Sequence, residues 1–394
     1  MKLYQLPSGD EVHRYKKSLV ICFAGERKVL GTGPNNGGYR TDLKAVFNHD
    51  CNPGPGISCE LRADTYPKHM DLVAAQELGL DAEHCTGLMT AASMENVSIQ
   101  SMKYEDFTVT ALVTGGIRNN GGRVGDPAVW HEKADISYPV RPGTINILVH
   151  IDANLSEGAL ARAMVTCTEA KTAALQELLA PSRYSRGIAT GSGTDGMIVI
   201  CNAESDVYLT NAGKHCKLGE YIGKTVKKAV KEALYLQSGL SPEYQYDIFH
   251  RMDRFGVTED ALWERYEQKT SGFARAHFSD ALDRIRREDE LVVQTSLYAH
   301  LLDQTEWGML KPDKAWRAGK QLLRQLGWEE KKQPQMSEPK STDVKDTWIM
   351  WMTECYMQMV LSRITLSSGK KLDISIIILD KQKIFFSGGE KETC

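Results

Sequence analysis

Short apolar runs separated by glycine-rich turns fill the first 236 residues, and only two long helical patterns interrupt them. Residues 19–23, 107–113, 145–151 and 197–200 are rich in Val, Ile, Leu and Phe and read as strands. Over residues 157–179, Leu160, Met164, Cys167, Leu175 and Leu178 recur at helical spacing, with Ser156 placed as an N-cap and Pro181 as a stop. Over 218–236 a second stripe is formed by Leu218, Ile222, Val226, Ala229, Val230 and Ala233. Strands and helices do not alternate regularly before residue 143, and several spacings suit hairpins. The pattern therefore predicts an α+β (or α/β) chain whose sheet is mixed or antiparallel, packed by two principal helices, rather than a doubly wound parallel sheet.

After Gly239 the glycine loops disappear and helical patterns take over, as in residues 281–302, where Ile285, Val293, Leu297 and Leu301 form one stripe. Residues 331–343 hold two prolines and almost nothing apolar, the character of a linker. The expected organisation is a chemistry-bearing domain over 1–236, a helical extension over 237–334, and a linker with a short tail over 335–394. Residues 348–361 are apolar but interrupted by Glu354 and Gln358 and too short for a membrane span, so they predict a packed helix; residues 373–389 resemble a hairpin.

A net charge of −3 gives no global attraction to nucleic acid or an anionic membrane. The nine cysteines contain no C-x-x-C pair, which leaves a structural zinc site unsupported. The apolar run before Gly25 is too short for a signal-peptide core, and the expectation is a reduced, cytoplasmic protein.

Four loops combine glycine with small polar residues: 31–38, 114–122, 189–196 and 211–220. Such loops bring backbone N–H groups close to a ligand, yet none is a phosphate-binding P-loop or a dinucleotide fingerprint. Lys171 falls on the core-facing stripe of its helix, where a cation requires either a snorkelling path or a buried carboxylate or carbonyl partner. Glu169 lies about 200° round that helix from Lys171, so a regular helix does not aim both at one place. Asp195 ends a loop whose Thr190, Ser192 and Thr194 offer hydroxyl donors, and a turn-forming role competes with a catalytic one. His215 and Lys217 stand at the opening of the second helix, where positive side chains oppose the macrodipole and an anionic or carbonyl ligand would offset them.

Read in order, NNGG (35–38), GLMTAAS (87–93), TALVTGGI (110–117), GTINILV (143–149), CTEAKTAALQELL (167–179), ATGSGTD (189–195) and AGKHCKLGEYIGKTVKKAVKEAL (212–234) resemble the adenosylcobinamide amidohydrolases of corrinoid salvage. The resemblance covers about residues 15–236. It implies hydrolysis of the amide that joins the aminopropanol arm to the corrin ring, yielding adenosylcobyric acid. Such a reaction needs an activated water, a stabilised oxyanion and a protonated leaving amine. Built on that resemblance, Asp195 is the first choice of general base, with Glu169 and His215 competing. Lys171 and the Asn36 amide polarise the carbonyl, and His215 protonates the amine. Asn35, Asn36, Gly37, Gly38, Asn146, Thr194 and Lys217 are the expected substrate-binding positions. The family tends to carry Thr where Cys216 stands, which argues against a thiol nucleophile there.

The expected partner is a small corrinoid that brings its own cobalt; no nucleic acid or membrane is expected, and homo-oligomerisation stays open. No cofactor is required on this view, although Asp195, His215 and Glu169 are hard-metal ligand types whose spacing matches no zinc motif. Two other readings remain: a corrinoid-binding or sensing protein without catalysis, and a phosphate-handling enzyme that uses the glycine loops as anion cradles.

Overall fold

The computed structural model describes residues 1–54, 60–128, 143–269, 274–328, 338–340 and 344–367. The chain divides into two compact units, Met1–Gln245 and Tyr246–Cys394.

In the first unit the strands are β1 (Lys2–Gln5), β2 (Glu11–Tyr15), β3 (Ser18–Cys22), β4 (Arg27–Gly31), β5 (Gly38–Arg40), β6 (Ala45–Asp50), β7 (Cys85–Thr90), β8 (Ser98–Tyr104) and β9 (Phe107–Gly116). They are followed by β10 (Gly121–Gly122), β11 (Thr144–Ile151), β12 (Asn154–Leu155), β13 (Gly191–Ser192), β14 (Gly196–Asn202) and β15 (Tyr208–Leu209). One sheet has the order β1-β2-β3-β6-β7 and the other β5-β4-β14-β11-β9-β8. Each is antiparallel except for one parallel pair, β6 with β7 and β11 with β14. This is the mixed α+β arrangement that the sequence predicts. The helices are α1 (Tyr66–Leu72), α2 (Glu157–Glu177) and α3 (Lys217–Ser238).

The layering follows from strand alternation. Every residue of β11 is buried, so this strand is covered on both faces. Ile145, Ile147, Val149 and Ile151 pack with Leu160, Cys167 and Leu175 of α2 and with Ile222, Val226 and Val230 of α3. Leu148, on the opposite face, packs with Leu19, Ile21 and Val46 of the five-stranded sheet. The outer face of that sheet, through Val20, Ala45 and Phe47, is covered by Met70 of α1 and by Val73 and Ala74 of the π-helical turn Val73–Leu78. The order of layers is thus helices, six-stranded sheet, five-stranded sheet, helix. Each fully buried aliphatic side chain here contributes about 1.5–3 kcal/mol of transfer free energy.

Local signals set the helix ends. The Ser156 hydroxyl accepts the Ala159 N–H at 3.2 Å and caps α2 as expected. At its other end α2 stops before Pro181, because Leu179 turns left-handed at φ 48°. Gly239, at φ 73°, closes α3.

The second unit contains α4 (Ile248–Met252), α5 (Glu259–Lys269), α6 (Arg275–Ile285), α7 (Asp289–Glu306), α8 (Pro312–Gln325) and α9 (Lys345–Ser367). Its core joins Phe278, Tyr298, Trp316, Trp348, Met352 and Tyr356. The stretch 348–361 lies in α9 and is packed as expected, but α9 is 23 residues long and shares the core of the helical unit, so it does not belong to a detached tail. The stripe expected on residues 281–302 is also revised. Ile285 is buried in α6, while Val293 and Leu297 of α7 are exposed, because α7 buries its other apolar face through Leu291, Val292, Tyr298 and Leu302. Most of the expected linker 331–343 and the hairpin-like 373–389 lie outside the described residues. Among those residues no helix is long and apolar enough to cross a membrane.

Candidate active site

The first three glycine loops meet at one end of the six-stranded sheet, where β4 and β9 finish and β11 and β14 begin. Gly121 and Gly122 of the second loop pair with Ser192 and Gly191 of the third. Thr32 of the first exchanges hydrogen bonds with Met197, its N–H donating to the Met197 carbonyl at 2.9 Å and its hydroxyl accepting the Met197 N–H at 3.0 Å. The carboxyl ends of β6 and β7 reach the same place, since the Asn146 amide donates to the Met89 carbonyl at 3.0 Å.

At this end the Lys171 ammonium donates to Asp195 Oδ2. The two side chains are 11% and 12% exposed, so solvent screens the pair weakly. Asp195 is fully engaged. Its Oδ1 also accepts from the Ile145 N–H at 2.9 Å and the Ser192 hydroxyl at 2.7 Å, and its Oδ2 from the Ser192 N–H at 3.0 Å. Four donors occupy the roughly four lone-pair positions of a carboxylate. Lys171 makes one hydrogen bond and keeps two further N–H donors. Gly191 lies directly over the pair: a Cβ there would overlap Asp195 Oδ2 and sit 2.6 Å from Lys171 Nζ. The glycine of this loop therefore serves a buried ion pair.

Beneath the pair, a chain of amides crosses between the sheets. Asn146 Nδ2 donates to Asn48 Oδ1 at 2.7 Å, Asn48 Nδ2 to the Thr114 hydroxyl at 2.8 Å, and the Gly196 N–H to Asn146 Oδ1 at 3.1 Å. Thr194 is exposed at the rim; its hydroxyl donates to the Gly143 carbonyl at 3.0 Å, and its own carbonyl accepts from Thr144.

The other expected residues separate. Asn35 and Asn36 lie in the first loop, but their amides are used within the fold: Asn35 donates to Asp71 and accepts from the Gly87 N–H, and Asn36 donates to the Ala82 and Cys85 carbonyls. The Asn36 amide is thus not available for the carbonyl-polarising role expected of it. Gly37 and Gly38 complete that turn, Gly38 at φ 84°. His215 and Lys217 lie at the opposite end of the sheet. The Lys217 ammonium sits 5.3 Å from the Tyr104 ring centroid, whereas Gly116 at the loop end meets Gln237 at the far end of α3. Phe107 to Gly116 spans nine residue steps, about 30 Å of strand. Among the described residues no hydrogen bond or ion pair joins His215 to Lys171 or Asp195. Glu169 is exposed and faces Lys214 at 3.4 Å, on the side of α2 away from Lys171.

The loop 211–220 is structural. A Cβ at Gly219 would overlap the Gly213 carbonyl oxygen, so these glycines let two backbone segments touch, and the Cys216 thiol donates to the Asn211 and Gly213 carbonyls. Among the described residues no group of three or more His, Cys, Asp and Glu side chains is arranged to hold a metal ion. Asn48 and Thr114 were not among the expected residues. The signal for Asn48 is a polar residue two positions after the core residue Val46, on the same strand face.

The residue profile of the adenosylcobinamide amidohydrolase family matches residues 3–242. An uncharacterized protein of Methanocaldococcus jannaschii is 35% identical over 250 residues, which are 60% of this chain and 94% of that protein. A protein of Methanosarcina mazei named adenosylcobinamide amidohydrolase is 28% identical over 233 residues, 56% of this chain and 96% of its own. A crystal structure of a Pyrococcus horikoshii OT3 protein covers 66% of this chain and 91% of its own at a TM-score of 0.30 and 13% identity, too slight a likeness to support an argument.

Proposed function

Given that the chain belongs to the adenosylcobinamide amidohydrolase family over residues 3–242, we propose that it hydrolyses the amide between the aminopropanol arm and the corrin ring of adenosylcobinamide. The products are aminopropanol and adenosylcobyric acid, and the context is corrinoid salvage. The observation that carries this reading is the weakly screened Lys171–Asp195 pair under Gly191, at the end of the sheet where three glycine loops meet.

An amide resists hydrolysis because its carbonyl is a weak electrophile, and charge develops on the oxygen as water adds. Two unused N–H donors of Lys171 suit that developing oxyanion, and in a poorly solvated site such donors are worth more than in water. Asp195 holds the ammonium rather than acting as the base, since its lone pairs are already taken. Thr194 at the rim and the glycine loops offer hydrogen bonds to the neutral amide arms of a corrin. The cobalt belongs to the substrate, and the proposed chemistry assigns it no step.

Incubating the purified protein with adenosylcobinamide and following aminopropanol and adenosylcobyric acid tests the proposal. Release of both in equal amounts supports it, and their absence overturns it. The saturation of Asp195 also favours a second reading, a corrinoid-binding protein without catalysis; binding without product supports that one.

A further inference from the structure

The base that the expected set of residues lacks has a candidate on the five-stranded sheet. In β6, Val46 belongs to the core between the sheets, and Asn48, two residues on, hydrogen-bonds across to Asn146 and Thr114. Alternation puts Asp50 on that same face, one step nearer the carboxyl end of the strand, at about 7 Å from Asn48 along the chain. Asp50 stands opposite Thr90 of the parallel partner β7. Asp50 thus lies at the end of β6 next to the Asn48–Asn146 amide chain, and Asn146 directly follows Ile145, whose N–H Asp195 accepts.

Asp50 differs from Asp195 in what it has to spare. Its side chain is 13% exposed, and its Oδ1 accepts the Asn52 N–H at 2.8 Å. The nearest cation, Lys17 of the β2–β3 turn, stays 3.8 Å from Oδ2. Lone pairs on Oδ2 therefore remain for a water. Burial moves the carboxyl above its ordinary value, toward the range in which a carboxylate is an effective base. Burial acts in the same direction on Asp126, at the same end of the sheet, but hydrogen bonds from Ser182 and the Arg123 N–H outweigh it and hold that carboxyl down.

We infer that Asp50 is the catalytic general base of the amide hydrolysis proposed above, on which this inference rests. Asp50 takes a proton from water as the water oxygen bonds to the amide carbon. The carbonyl π pair moves to oxygen, where Lys171 stabilises it. On collapse the C–N bond breaks, and the protonated Asp50 returns its proton to the departing nitrogen, so that one water is consumed for one acid and one amine.

The test uses the full chain with adenosylcobinamide as the probe. Asp50→Asn is expected to lower kcat by about 100-fold or more, in the range for acid–base groups, with KM within about threefold of the parent and corrinoid binding retained. An active parent whose Asp50→Asn variant stays within tenfold in kcat overturns the assignment to Asp50 alone. A parent that releases no aminopropanol overturns the hydrolytic reading and this inference with it. Should Asp50→Asn fail to fold, Asp50→Glu decides: the longer arm keeps the charge but displaces the oxygen, and a folded variant with undiminished kcat overturns the assignment.

Discussion

The two ends of the six-stranded sheet carry similar sequence and opposite physics. Each has glycine beside charged residues: Gly191 with Lys171 and Asp195 at one end, Gly213 and Gly219 with Lys214, His215 and Lys217 at the other. At the first end the missing side chain makes room for an ion pair that is almost withdrawn from water. At the second it lets one backbone segment rest on another, while the charges stand in solvent. A glycine next to a charge therefore carries no single meaning. What separates a reactive site from a packing junction is whether the space that glycine leaves is filled by a functional group or by a carbonyl.

The largest contrast is expected from charge removal. Lys171→Met should lower turnover of adenosylcobinamide by about 100-fold or more, as for loss of one oxyanion donor. It should also lower stability by about 3 kcal/mol, because Asp195 is left buried without its cation. Steady-state kinetics and urea unfolding measure the two effects, and a loss below tenfold with normal folding removes Lys171 from the reaction. Acid should separate the ends next. Burial holds the His49 imidazole, on the outer face of β6, at about 4 instead of 6.5. The unfolded chain thus binds a proton there before the folded one does, and His49 contributes stability above pH 6.5 that is lost as pH falls from 6.5 toward 4. The opposite end resists longer. Burial of Asp10 acts upward, but hydrogen bonds from His150 and Arg27 outweigh it and hold the carboxyl well below its ordinary 3.8, so its contribution declines only below that pH. Urea unfolding midpoints should fall between pH 6.5 and 5 in the parent, and the fall should flatten in His49→Gln.

Smaller effects sharpen the comparison. Gly191→Ala and Gly219→Ala should each destabilise by about 1–3 kcal/mol through overpacking, but only the first should reduce kcat of the folded fraction. Equal kinetic losses in both would erase the distinction between the ends. The smallest effect is assigned to His215→Ala, with turnover within about twofold of the parent and surface-scale stability changes of about 0.5 kcal/mol or less.

Much of this architecture was legible from periodicity. The two principal helices, the Ser156 cap and the strands at 107–113 and 145–151 follow from apolar spacing that local geometry obeys. The position of Lys171 on a buried stripe was legible for the same reason, and its partner Asp195 was already among the expected residues. What the sequence could not supply was which loops share an end of the sheet, because that depends on strand order and direction. Lys171 lies in α2 and His215 just before α3, and only the placement of these helices against β9 shows which end of the sheet each approaches. In α7, apolar residues occupy two faces, and composition does not say which one the neighbours cover.

The parallel pairing of β11 with β14 has a consequence for how the site comes into being. Lys171 and Asp195 are 24 residues apart and belong to one contiguous strand–helix–strand passage. Closing so short a loop costs little chain entropy, and contacts of low sequence separation form early in folding. Both partners of the ion pair, with the Ile145 and Ser192 donors that hold Asp195, are thus supplied by the single passage of residues 144–202.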